Sequence, residues 1–143
     1  MIDPSAFEPG PAPDGMRFWR LPDPPESTMF GCRVEVTVLL ELLELTDLDF
    51  TLVNAVVADV DRYLGAAVEL VERRLREDPA YFGVSAAPES PGLDLPEVTF
   101  SDAGWLVRFA DAPYPVADPY GLLVEFDGDT PTRVDGTADA DAL

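Results

Sequence analysis

Val53, Val57, Val60, Leu64, Val68, Val71 and Leu75 follow one another at spacings of three and four. That is the repeat of a helix, and it draws one apolar stripe along residues 51–77. A helix with a single stripe needs a second layer to cover it, so whatever else folds here must supply an apolar face. Thr46, Asp49 or Thr51 can cap the start of the helix and Pro79 closes it. Glu69 with Arg73 and Glu72 with Arg76 stand at i,i+4 with the acid first, the favourable order. Arg73, Arg74 and Arg76 are the one local basic cluster; a cationic last turn suits the helix dipole, and an anion site is the alternative reading.

Three stretches supply the second layer. After Phe30, Val34, Val36, Val38 and Leu40 alternate with Arg33, Glu35, Thr37 and Glu41, the period of a strand with one buried face. Residues 97–100 and 105–109 flank Ser101-Asp102-Ala103-Gly104 and read as a hairpin in which Val98, Phe100, Trp105, Val107 and Phe109 share a side. Tyr120 to Phe126 alternates again, with Leu122, Val124 and Phe126 inward. The expected fold is α+β: an antiparallel sheet of about four strands with one long amphipathic helix packed on one face.

The ends read differently. Residues 1–28 hold seven of the 15 prolines, each fixing φ and removing a backbone donor, so a Pro-rich N-terminal arm without regular structure is expected there. Met16, Phe18, Trp19 and Leu21 lie within it, and side chains of that size dock on a core or on a partner. Residues 29–127 form the single α+β domain. Residues 128–143 are polar and Asp-rich and read as an acidic flexible tail.

Composition excludes more than it assigns. The chain of 143 residues carries 28 Asp and Glu against 9 Arg, a formal charge of -19, which sets it against bare phosphate and anionic membranes. Two readings of that acidity stand: a functional acidic surface, or the bias of a proteome that favours Asp and uses Arg in place of Lys. No His and no Lys occur, which removes the commonest general base and all Schiff-base chemistry. The lone Cys32, at the start of an apolar strand, reads as a small core residue rather than a nucleophile. No Gly-rich phosphate loop is present, so no nucleotide cofactor is expected. Asp127-Gly128-Asp129 with Asp135, Asp139 and Asp141 suggests an oxygen-ligand loop, but Pro131 and Arg133 interrupt it and no Glu closes it, so no metal site is expected. Met1 to Gly10 lacks a basic start and an apolar run, and Glu41 and Glu44 break the longest apolar stretch, Val36 to Leu45. A cytoplasmic protein without a membrane span is the expectation.

The segment 110–121 is the most unusual, because Pro113, Pro115 and Pro119 stiffen a loop that carries two Tyr and two Asp. Stiff loops cost little to order on binding, so Asp111, Tyr114, Asp118 and Tyr120, with Trp19 of the arm, are the candidate partner-binding residues. The alternative is a loop whose rings cover the core edge.

The runs Trp105-Leu-Val-Arg-Phe109 and Asp118-Pro-Tyr-Gly-Leu-Leu-Val-Glu-Phe-Asp-Gly-Asp129 resemble the C-terminal half of small acidic actinobacterial proteins of uncharacterised function, some of them near polymorphic-toxin immunity families. The resemblance covers about a third of the chain and implies a single-domain α+β protein that binds a cognate toxin. The expected function is therefore non-catalytic: an acidic immunity or inhibitor protein occluding a basic protein partner. A nucleic-acid mimic, a carboxylate-dependent enzyme, and a structural or ligand-binding domain are the alternatives.

Overall fold

In the computed structural model of the chain, which describes residues 1–138, the alternating segments are strands, as their period of two requires. In chain order these are β1 (Glu8–Gly10), β2 (Arg17–Arg20), β3 (Glu26–Ser27), β4 (Cys32–Arg33), β5 (Glu35–Leu40), β6 (Asp94–Ser101), β7 (Gly104–Asp111), β8 (Leu122–Asp127) and β9 (Thr130–Asp135). Helices α1 (Phe50–Ala58) and α2 (Val60–Glu77) connect β5 to β6. Seven strands make one sheet in the order β1-β2-β5-β6-β7-β8-β9, and β3 pairs with β4 in a small second sheet.

This corrects the expected architecture in three respects. The main sheet has seven strands rather than about four, and it is mixed: β5 and β6 run parallel while every other neighbouring pair is antiparallel. The parallel pair follows from the helical crossover, which carries the chain from the end of the sheet where β5 finishes back to the end where β5 began. The single helix is two, parted at Asp59, whose φ of -142° and ψ of 55° are not helical. Asp competes for nearby backbone groups and is a weak helix-interior residue. The break gives α1 a direction of its own, in which the Phe50 ring packs edge-on against Phe7 of the N-terminal segment, centroids 6.1 Å apart.

The expected absence of regular structure over residues 1–28 is also corrected, since β1 and β2 extend the main sheet. Pro9 and Pro11 fall at the sheet edge, where a missing N–H is tolerated. The polar stretch after Asp127 yields β9, with Val134 packed against the core; residues 139–143 of the expected tail lie outside the described residues.

Val34, Val36, Val38, Leu40, Val98, Phe100, Trp105, Val107, Phe109, Leu122, Val124 and Phe126 form one continuous apolar face under the helices. Val53, Val60, Leu64, Val71 and Leu75 of the stripe are buried against it, joined by Val56, Tyr63, Ala67 and Leu70. Trp105 stacks on Phe126 with centroids 4.1 Å apart, meets Tyr63 of α2 edge-on, and donates its indole N–H to the Gly128 carbonyl at 2.7 Å.

Among the described residues no helix and no second sheet packs on the opposite face of the main sheet. One row across it reads Arg20, Thr37, Thr99, Leu106, Glu125, Arg133, and the next reads Glu35, Glu97, Arg108, Leu123, Asp135. Thr37 and Thr99 share a hydroxyl hydrogen bond at 3.0 Å. Arg108 pairs with Glu97, and Arg133 lies 2.9 Å from Asp135 and 3.6 Å from Glu125. The Asp135 carboxylate, hydrogen-bonded beside it, pushes the Glu125 carboxyl above its ordinary range.

Candidate functional site

The loop from 110 to 121 holds three prolines, yet Tyr114 faces inward. Tyr114 is only 5% exposed; its hydroxyl donates to the Pro91 carbonyl at 2.6 Å and its ring meets Phe82 edge-on at 5.5 Å. Burial pushes its phenol up. Tyr120 is half-buried: its N–H donates to Thr137 Oγ1 at 3.1 Å and its carbonyl accepts from Arg108 Nη1 at 3.2 Å. Asp111 and Asp118 are exposed. Trp19, half-buried in β2 with the Arg17 guanidinium 6.0 Å over its ring, stands three strands from β7, about 14 Å away. The five candidates therefore do not converge on one surface. Tyr114 in particular belongs to the core, the alternative reading of this loop.

A different segment has the properties of a recognition loop. The connection from β5 to α1, residues 41–49, carries four exposed carboxylates, Glu41, Glu44, Asp47 and Asp49, and no basic residue. It is fixed from several sides. Asp102, in the turn between β6 and β7, accepts the main-chain N–H groups of Glu41, Leu42 and Leu43 at 2.8, 3.2 and 2.9 Å. Those donors hold the Asp102 carboxyl below the usual carboxylate range. Arg17 bonds the Leu43 carbonyl and reaches the Glu44 carboxylate at 2.7 Å. Glu44 and Asp47 form a capping box on a 3₁₀ turn, and Asp49 caps α1 by accepting from Thr51 and Leu52.

Leu43, Leu45 and Leu48 of this loop pack against the core. Leu42 points outward and is 84% exposed. The result is an exposed apolar side chain on a loop that also carries four exposed carboxylates, on backbone already ordered by its neighbours. The sequence signal was the break in strand alternation at Glu41-Leu42-Leu43, opposite an Asp in a two-residue turn.

Other chemistry is sparse. The Cys32 thiol is pushed up by partial burial and by nearby Asp94 and Asp61, and so is held as the weakly reactive thiol. Among the described residues no group of three or more His, Cys, Asp or Glu is placed to hold a metal. A cleft of about 490 Å³ lies outside α2 against Thr130 and Pro131 and is lined by Glu69, Glu72, Arg73 and Arg76. In α2 the ion pairs are Arg73 and Arg74 with Glu77, rather than the Glu69–Arg73 and Glu72–Arg76 pairs expected from spacing. No helix among the described residues is long and apolar enough to cross a membrane. Comparison with family models, with curated proteins and with solved structures returns no match.

Proposed function

We propose that this chain is a non-catalytic cytoplasmic binding protein that occludes a basic protein partner, in the manner of an immunity protein covering a toxin's active site. The observation that supports this reading is the 41–49 loop, where Leu42 stands 84% exposed among four carboxylates and is fixed by Asp102 and Arg17. An exposed apolar anchor on a charged loop suits an interface hot spot, and a loop ordered in advance loses little entropy on binding. The surrounding charge speeds encounter with a basic surface. A nucleic-acid mimic fits less well, because Leu42 would have no counterpart on a phosphate backbone.

The test is binding to basic proteins, toxins encoded by neighbouring genes first among them, followed at low and physiological salt. Association should slow as salt rises, since steering is screened beyond about 8 Å at physiological ionic strength. Leu42→Asp should speed dissociation by about tenfold or more. Binding that ignores both salt and Leu42→Asp would defeat the proposal.

A further inference from the structure

The uncovered face of the main sheet differs from the rest of the molecular surface in two ways. Its outward positions include Phe18, Leu39, Leu106 and Leu123, where a solvated sheet face ordinarily alternates to polar residues. Its two central rows, with Glu8 of β1 opposite Arg20, carry three Arg against five carboxylates, so it is only weakly acidic on a chain of formal charge -19. A strongly basic partner gains little from such a face. A second copy of this chain, repelled everywhere else, meets least repulsion there.

The strand order makes the face complementary to itself. β6 is the middle strand of seven, with β5 and β7 one spacing to either side and β2 and β8 two. A two-fold axis running along β6, between two stacked sheets, keeps each residue in its row and exchanges the two sides. In one row that sets Arg108 of β7 over Glu35 of β5 in the other copy; in the next it sets Glu125 of β8 over Arg20 of β2. Each contact occurs twice, as an isologous interface demands. Arg20 and Glu35 have no ion-pair partner among the described residues.

The aligned packing of twisted sheets turns one copy over the other by about 30°, which displaces β2 and β8 by about 5 Å, within the reach of Arg and Glu side chains. Six strand spacings and six-residue strands give a plan area of about 580 Å². With side-chain relief that approaches the roughly 800 Å² per partner of a standard interface. We infer that the uncovered sheet face is a homodimer interface, two copies stacking face to face about a two-fold axis along β6, with the acidic 41–49 loops left free.

The experiment is sedimentation velocity of the full chain from about 1 to about 300 μM, with folding followed by circular dichroism. The wild type should pass from monomer to dimer, and salt should strengthen the dimer because it screens repulsion between two acidic copies, the opposite of its effect on a basic partner. Arg20→Glu and Glu125→Arg should each weaken dimerisation by about tenfold or more, since each sets like charges together twice. An equimolar mixture of these two variants should dimerise again, because each variant then meets its opposite. Leu106→Glu should give monomers, and Leu42→Asp, off this face, should dimerise like the wild type. A wild type that stays monomeric over this range, a mixture no tighter than its components, or a dimer untouched by Leu106→Glu overturns the inference.

Discussion

Asp102 accepts the main-chain N–H of Leu42 at 3.2 Å, while the Leu42 side chain stands 84% exposed, so at this position the loop is held through its backbone and not by burial of the side chain. Asp102→Ala removes the acceptor for three consecutive amides. The expected outcome is a folded protein in which the amides of residues 41–43 exchange with solvent much faster while those of β7 do not, read by hydrogen exchange. Binding to the partner should weaken with Leu42 intact, since the loop must then be ordered on contact.

Asp61, at the start of α2, makes a similar clamp on the small sheet. It accepts from the buried Ser27 hydroxyl at 2.5 Å and from the N–H groups of Thr28 and Met29 at 2.9 and 3.3 Å. Asp61→Ala leaves Ser27 without that acceptor and should cost about 1–3 kcal/mol in denaturant unfolding.

These clamps set the acid response. The Ser27 hydroxyl and then the two amides hold the Asp61 carboxyl below its ordinary range, and three amides do the same for Asp102. A carboxyl lowered by folding stabilises the fold fully above its unfolded value of about 3.9, and that contribution is lost as pH falls through the lower folded value. Glu125, raised by Asp135, has the opposite sign: its folded form favours the proton, and its contribution is lost as pH rises through the folded value. Glu125→Gln should therefore raise the melting temperature at neutral pH and lose that advantage as pH falls to the ordinary carboxyl range, whereas Asp61→Asn should lower it at neutral pH and converge on the wild type only as pH falls through the lowered folded value of Asp61. Equal shifts at all pH values would contradict both assignments.

Thr137 ties the proline-rich loop to the chain after β9. Its hydroxyl lies 2.8 and 3.0 Å from the Gly121 and Ala117 carbonyls and accepts the Tyr120 N–H at 3.1 Å, in a site 2% exposed. Gly136 lies so close to Val116 that any side chain there would collide with it. Thr137→Val should cost about 1–3 kcal/mol, and Thr137→Ser should recover most of it. Tyr114→Ala in the same region empties part of the core and should cost about 3–5 kcal/mol, so loss of binding by that variant would report unfolding rather than a contact.

What was legible in the sequence is what packs by a strict period. Val34 to Leu40, the 98–109 hairpin and Leu122 to Phe126 all bury the residues that alternation assigned inward. β1, β2 and β9 were not legible, because none of their side chains is fully buried, so no apolar alternation marks them, and β1 and β9, at the sheet edges, carry Pro and charge. The helix break was hidden for another reason: Val57 and Val60 continue the stripe across Asp59, whose non-helical backbone leaves the apolar spacing unchanged. The candidate loop escaped because its order comes from Asp102 and Arg17, distant in sequence, and Tyr114 misled because a stiff loop with an aromatic reads alike whether the ring points out or in.

The N-terminal segment offers a last test of how far its prolines leave it free. Asn54 of α1 accepts the Ile2 N–H at 2.6 Å and donates to the Ile2 carbonyl at 2.8 Å, so one side chain stands in for a strand partner. Its second amide hydrogen goes to the Phe50 carbonyl, which leaves none of its hydrogen-bonding groups unused. Phe7, 6% exposed, packs a few residues further along. Asn54→Ala removes both bonds to Ile2 and should cost about 1–2 kcal/mol. The loss should be local: residues 1–7 should become sensitive to limited proteolysis and their amides should exchange freely, while β5 to β8 keep their protection. A uniform drop in protection across the whole sheet would show instead that the segment is integral to the cooperative core.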